Sequence, residues 1–305
     1  MRVTLLGPQR RPTLDTVVAS LGLAGPYATI TAGWQEREQD DRELSSRLGH
    51  RDINLSLHRR WLDVQERDPD FAAADRRRRG VLGEMQDIYL LRLDYALRAA
   101  YAVQHRNGDA LLRDAATAEA IAAVRQLDAA HLHKVSEASG EFYQAWQPHG
   151  RPVIAGHRDE VCRLLGDAAA LVLAGGHVGV LAEVLHLFNV AAALRSPVIA
   201  WSAGAMALTD RIVLFHDRAP QGPGHPEVYG SGLSVIRNLV LLPHARARML
   251  LDDTARMAIF ARRFAPARCI LLETGTRIDT DGDGSCPPNV RVLAEDGRVT
   301  SLEAA

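Results

Sequence analysis

Cysteine is scarce, neither sign of charge dominates, and no apolar run is long. The 305 residues include three cysteines, Cys162, Cys269 and Cys286. Three scattered thiols are too few for a disulfide framework, so each is expected to be free, in a reducing compartment. Lys and Arg number 36 against 37 Asp and Glu, a formal net charge of −1. That balance creates no global field for nucleic acid or a membrane surface. No stretch approaches the roughly 18 uninterrupted apolar residues of a transmembrane helix. The N-terminal MRVTLLGPQRRPT lacks the apolar core of a signal peptide. The expectation is a cytoplasmic protein with neither nucleic acid nor membrane as a partner. What is present is apolar material: 47% of the residues are hydrophobic, ample for a sizeable core. The one basic run, Arg76 to Arg79, follows Asp75 and reads as the solvated start of a helix.

The pattern alternates, stops, and resumes. RVTLLG (2–7), YATITAG (27–33) and DINLSLH (52–58) read as strands, with a helix over 13–22. Strands separated by helical spacing predict a mostly parallel sheet with helices on both faces, an α/β fold. From about 58 to 147 no strand is evident. Apolar residues at helical spacing (Leu82, Met85, Tyr89, Leu93, Leu97) and an Ala-rich stretch over 109–139 predict helices, broken at Asn107-Gly108. Alternation returns with strands at RPVIAG (151–156), ALVLAGG (170–176), SPVIAWS (196–202), NLVLLPH (238–244) and CILLETG (269–275). Helices are expected over 157–166, 178–194 and 246–263, and hairpin strands and turns towards the C-terminus. The whole, 1–305, reads as one α/β domain carrying a long all-helical insertion.

VIAWSAGAMAL (198–208) places Ser202 between a strand and a helix, among residues with almost no side chain. A nucleophile at such a turn needs an unfavourable backbone conformation, and the residues two before and two after it, Ala200 and Gly204, must be small. The N–H of Ala203 would be one oxyanion donor. Gly176, at the Gly175-Gly176 strand end, would be the other. A serine hydroxyl needs a base. His244 ends a predicted strand and is expected on the same sheet edge as Ser202, with His216 as a second candidate. Glu273, ending the next strand, would orient the base, with Asp217 competing for that role. Gly175 and His177 at the glycine turn, and Arg246 and Arg248 beside the base, are candidate substrate contacts.

These segments, in this order and at similar spacing, resemble the dipeptidase E and cyanophycinase family of serine peptidases. The resemblance rests on ALVLAGG, VIAWSAGAMAL, LLPHARARML and CILLETGTRI, and covers 151–305 well and the first 57 residues loosely. It implies the flavodoxin-like sheet of class I glutamine amidotransferases. Those enzymes carry cysteine at the elbow, so Ser202 argues against glutaminase chemistry. Pro243-His244 is closer to the dipeptidase branch. Three features depart from the family pattern. His177 and Val178 replace its Asn and Gln, which help hold substrate. Ala245 replaces its Phe. The helical insertion has no family counterpart. The resemblance implies a serine hydrolase acting on a small peptide or related amide, needing no metal or organic cofactor. Other readings are an esterase or acyl transferase using the same triad, or a non-catalytic binding or assembly protein on the same fold.

Two further signals are weak. DTDGDGS (279–285) resembles the start of a calcium loop, but its twelfth position is Val290, where calcium needs a bidentate Glu. His131 and His133, two apart on a helix, point to different faces and read as surface residues. The insertion is expected to pack on itself and over one sheet edge. Its first residues, Arg59, Arg60 and Trp61, should lie near the pocket mouth, and part of its surface should be left for a homodimer.

Overall fold

The structure, a computed structural model, describes residues 1–10, 12–217 and 224–303. The N-terminal alternation builds β1 (Val3–Leu6), α1 (Leu14–Ser20), β2 (Tyr27–Ile30), α2 (Arg42–Arg47) and β3 (Asp52–Asn54). β3 is shorter than the expected 52–58 strand, because Ser56 turns left-handed at φ 50° and Leu57 opens α3 (Leu57–Arg67). Asp68 then caps α4 (Pro69–Gln104) by accepting from the Phe71 N–H. α5 (Ala110–Trp146) folds back along α4. These three helices are the predicted insertion.

Residues 151–156 are not a strand. Pro152, with its fixed φ, starts α6 (Pro152–Asp167), and the apolar VIA belongs to a helical face on which Ile154, Val161 and Leu165 are buried. The alternation then continues as expected through β4 (Ala170–Leu173), α7 (Val178–Leu187), α8 (Val190–Ala193), β5 (Val198–Trp201) and α9 (Ala203–Ala207). The expected 178–194 helix is two helices, parted at Asn189, where φ is 53°. β6 (Ile212–Leu214) and β7 (Glu227–Gly230) form an antiparallel pair that the sequence pattern did not disclose. β8 (Leu239–Pro243), α10 (Ala245–Arg248), α11 (Thr254–Phe264), β9 (Arg268–Leu272), β10 (Arg277–Thr280), β11 (Arg291–Leu293) and β12 (Val299–Ser301) complete the chain.

The main sheet runs β10-β1-β5-β4-β2-β3. Its β1, β2, β3, β4 and β5 are parallel, and β10 is antiparallel to β1. Successive residues of these strands feed opposite faces. Leu171, Leu173, Val198 and Ala200 join the core shared with the insertion, while Ala170, Val172, Ile199 and Trp201 pack with α1 and α2. The insertion does not pack only on itself: Phe71, Leu93, Val124 and other residues of it belong to the same apolar cluster as β1, β4 and β5.

The expected sheet edge shared by Ser202 and His244 is not found. β8, which precedes His244, pairs in parallel with β9 in a second sheet, β12-β11-β9-β8. That sheet meets the first at the loop 273–276. There the Gly7 N–H, just past β1, donates to Thr276 O, and a Cβ on Gly7 would strike Glu273 O at 1.7 Å. α9, which follows Ser202, packs against β8. Strand order therefore puts β4, β2 and β3 on one side of Ser202 and the His244 sheet on the other.

Candidate active site

Ser202 has φ 50° and ψ −123°, a region that side chains rarely enter. It caps α9 without a side-chain hydrogen bond to that helix, and is only partly buried. Its small neighbours are required by contact. A Cβ on Gly204 would come within 2.6 Å of the carbonyl oxygens of Leu173 and Ala174, and one on Gly175 within 2.9 Å of Ser202 Cβ. The elbow therefore rests directly against the end of β4. Gly176 has φ 127°, and a Cβ on it would strike Gly33 O at 2.4 Å. Among the described residues, no backbone carbonyl accepts from the N–H groups of Gly175, Gly176 or Ala203. Those three donors are left unspent around the serine.

His244 opens α10 in the left-handed conformation, φ 56° and ψ 34°. Its N–H donates to Leu272 O, which ties it to β9. Burial and the neighbouring Arg248 hold its imidazole below the ordinary 6.5; Glu273 pulls the other way and Arg10 adds to the depression. The ring is thus neutral at pH 7, the form a general base needs. Glu273 Oε1 accepts from the Arg246 N–H at 2.8 Å, so the carboxylate clamps the turn that carries His244. Among the described residues no hydrogen bond joins Ser202 Oγ to the His244 ring, and Glu273 bonds to the turn rather than to the imidazole.

Asp217, the competing acid, is committed elsewhere. Its Oδ1 takes Arg256 at 2.6 Å and its Oδ2 accepts from the Leu250 N–H at 3.1 Å, with its side chain fully buried. Both oxygens are used, so it ties the 216–217 loop to α11 instead of orienting His244. His216 is exposed, and burial of part of its ring and Arg248 lower its pKa as they do for His244. Arg248 is half-buried, and among the described residues no carboxylate pairs with it. Burial lowers its own pKa. Arg246 points to solvent.

His177 caps α7, its Nδ1 accepting from the Val180 N–H at 3.2 Å. That leaves the proton on Nε2, a donor. His177 lines a cavity of about 870 Å³ between α7 and the insertion. Trp61 lines it too. Arg60 does not: it turns away to Leu55 O, His157 and Glu160. Pattern reading missed most of the cavity wall. Tyr143 and Glu183 gave no signal beyond a lone polar group in an apolar helix. Gln35, at φ 57° and ψ −121°, shares the backbone region of Ser202. The run Arg76 to Arg79 is not all solvated: Arg78 is buried and bonded to Asp75 and Glu183. Asp75, three and four residues before these arginines, was the available clue.

His131 is likewise not a surface residue. It is buried, stacks on Tyr89 at 4.0 Å between ring centroids, and bonds Gln86 at 2.8 Å. His133 is exposed and pairs with Glu137. Asp279 belongs to β10, where Thr4 and Arg277 occupy its oxygens. Among the described residues, no group of three His, Cys, Asp or Glu is placed to hold a metal ion, and no helix is long and apolar enough to cross a membrane.

Fold and site together define an α/β protein with a strained serine at the carboxyl end of a mostly parallel sheet. No protein-family model matches the chain, and no curated protein matches it. Among solved structures it is similar to a peptidase from an acI-B1 Actinobacterium, at 14% identity and a TM-score of 0.47, over 100% of this chain and 94% of that one. Likeness at that level leaves the chemistry to the geometry of the site.

Proposed function

We propose that this chain is a serine hydrolase that cleaves a peptide or related amide bond, as the resemblance to the dipeptidase E and cyanophycinase family implies. The observation that carries this reading is the backbone of Ser202, held at φ 50° and ψ −123° against the end of β4. Such strain is kept where surrounding structure enforces it, and here it exposes one hydroxyl beside three unspent N–H groups.

In the proposed reaction Ser202 Oγ attacks the carbonyl carbon and gives its proton to His244. The N–H groups of Gly176 and Ala203 take the negative charge that develops on the carbonyl oxygen. His244 passes the proton to the departing amine as the C–N bond breaks. Water, deprotonated by the same histidine, then releases the acyl group and returns the proton to Ser202. Glu273 keeps the His244 turn in place and favours the imidazolium. Arg248, half-buried and free of a carboxylate, would hold the carboxylate of the departing residue.

The test is labelling by a fluorophosphonate probe, read by mass spectrometry of the modified peptide. Ser202 is expected to carry the adduct, and Ser202→Ala to abolish it. The missing Ser202–His244 hydrogen bond favours one other reading, a non-catalytic binding protein on this fold. An unlabelled Ser202 in folded protein would establish that reading instead.

A further inference from the structure

The cavity of about 870 Å³ beside His177 is not explained by the triad. Its position relative to Ser202 follows from the strand order. His244 must protonate the leaving amine, so the leaving half of the substrate lies on the side of the second sheet. The acyl half then lies on the opposite side, towards Gly175, Gly176 and His177. Ser202, Gly175 and Gly176 do not line the cavity; it begins at His177, two residues past the glycine that abuts Ser202, and is walled by the insertion, by α7 and by the turn after β2.

Two arginines face this space, and both are tied to Asp75. Arg78 bonds to Asp75 at 2.7 Å and to Glu183, and is nearly inaccessible to solvent. Arg79 Nε reaches the other Asp75 oxygen at 3.1 Å, and its guanidinium lies over the Trp61 ring at 5.3 Å. The exposed carboxylates at the rim, Glu36 and Asp87, have no ion-pair partner among the described residues. A carboxylate entering would therefore lose water and meet acids, with no lysine, and no arginine outside the Asp75 network, among the described residues of the wall to compensate. Trp61, Leu82, Val135, Tyr143, Val180 and Tyr229 supply the aromatic and aliphatic part of the wall, between polar groups that include His58, His177 and His186.

We infer that this cavity receives the acyl-side residue of the substrate, and that it selects uncharged aromatic or bulky aliphatic side chains and rejects acidic ones. The inference rests on the serine-hydrolase reading for its direction, but the selectivity of the cavity stands on its own wall.

Dipeptides of the form Xaa-Ala, differing only in the first residue, test it. With wild-type protein, kcat/KM for Phe-Ala and Leu-Ala is expected to exceed that for Asp-Ala by on the order of 100-fold. A ratio near one, or a preference for Asp-Ala, overturns the inference. Calorimetric binding of Phe-Ala and Asp-Ala to Ser202→Ala separates the cavity from the chemistry. Preferred binding of Phe-Ala with no turnover by the wild type supports the cavity and overturns the hydrolase reading. Equal binding of the two, or none of either, overturns the cavity. Asp75→Asn should free the Arg79 guanidinium, Arg78 keeping Glu183, and narrow the Phe:Asp ratio. Because that buried change can also unfold the chain, Val135→Arg, checked by circular dichroism, adds an unpaired cation from a different helix and should narrow the ratio about 10-fold.

Discussion

Two residues set the protonation of His244 from opposite directions. Burial and Arg248 depress its pKa, whereas Glu273 raises it. A general base works when deprotonated, so the acid limb of kcat/KM should fall below pH 6.5, with activity rising as pH increases through it. Arg248→Met removes a cation that disfavours the imidazolium and should move the limb to higher pH. Glu273→Gln removes the charge that favours it and should move the limb to lower pH, with a large loss of rate, while its amide oxygen can still accept from the Arg246 N–H. Measured pH profiles of the two variants that shift in the same direction would exclude His244 as the base.

At the scale of elements, one buried polar knot joins the insertion to the body. Arg263 of α11 holds Asp128 of α5 through two bonds, at 2.6 and 2.7 Å, and donates to Pro226 O. Tyr89 of α4 donates to Asp128 and accepts from both Arg263 and the Val228 N–H. Every member is satisfied, which is the condition under which a buried charge pair holds a unique packing. Asp128→Ala would leave the Arg263 guanidinium buried and unpaired. It should cost about 3–5 kcal/mol in urea denaturation. A loss below about 1 kcal/mol, the scale of an exposed pair, would mean that the knot is open to water. The same knot bears on function: it fixes α4 and α5, which carry two walls of the cavity.

At the scale of the molecule, α4 leaves an apolar stripe uncovered. Val81, Ile88, Leu91 and Tyr95 of α4 are 50%, 61%, 61% and 67% exposed, at spacings that put them on one face. We propose that this stripe meets its own copy in a homodimer. The flanking charges favour antiparallel helices. A two-fold axis near Ile88 sets Arg92 of one copy against Glu84 of the other, both being exposed. A parallel arrangement would oppose Glu84 to Glu84 and Arg98 to Arg98. Sedimentation equilibrium should show a dimer that Ile88→Glu converts to a monomer, and Ile88→Cys should cross-link to itself across the axis. A wild-type protein that stays monomeric at tens of micromolar would leave the stripe without this role.

The strained serine was legible in eleven residues, because the requirement for small neighbours is local: Gly204 fits only because the backbone of Leu173 and Ala174 comes close. The parallel sheet and the helical insertion were legible too, since period and punctuation are properties of short windows. Residues 151–156 misled because Val, Ile and Ala suit a buried strand as well as the buried face of a helix, and only Pro152 marked the start. Which sheet β8 would join was not readable, since a fully buried strand looks the same whichever neighbour it pairs with. The loss of Asp217 to Arg256, and the neutralising of Arg78 by Asp75 and Glu183, were also decided by tertiary packing. A side chain's charge is written in the sequence. Whether that charge is free to meet a substrate depends on partners brought in from distant segments, because a buried charge must find one.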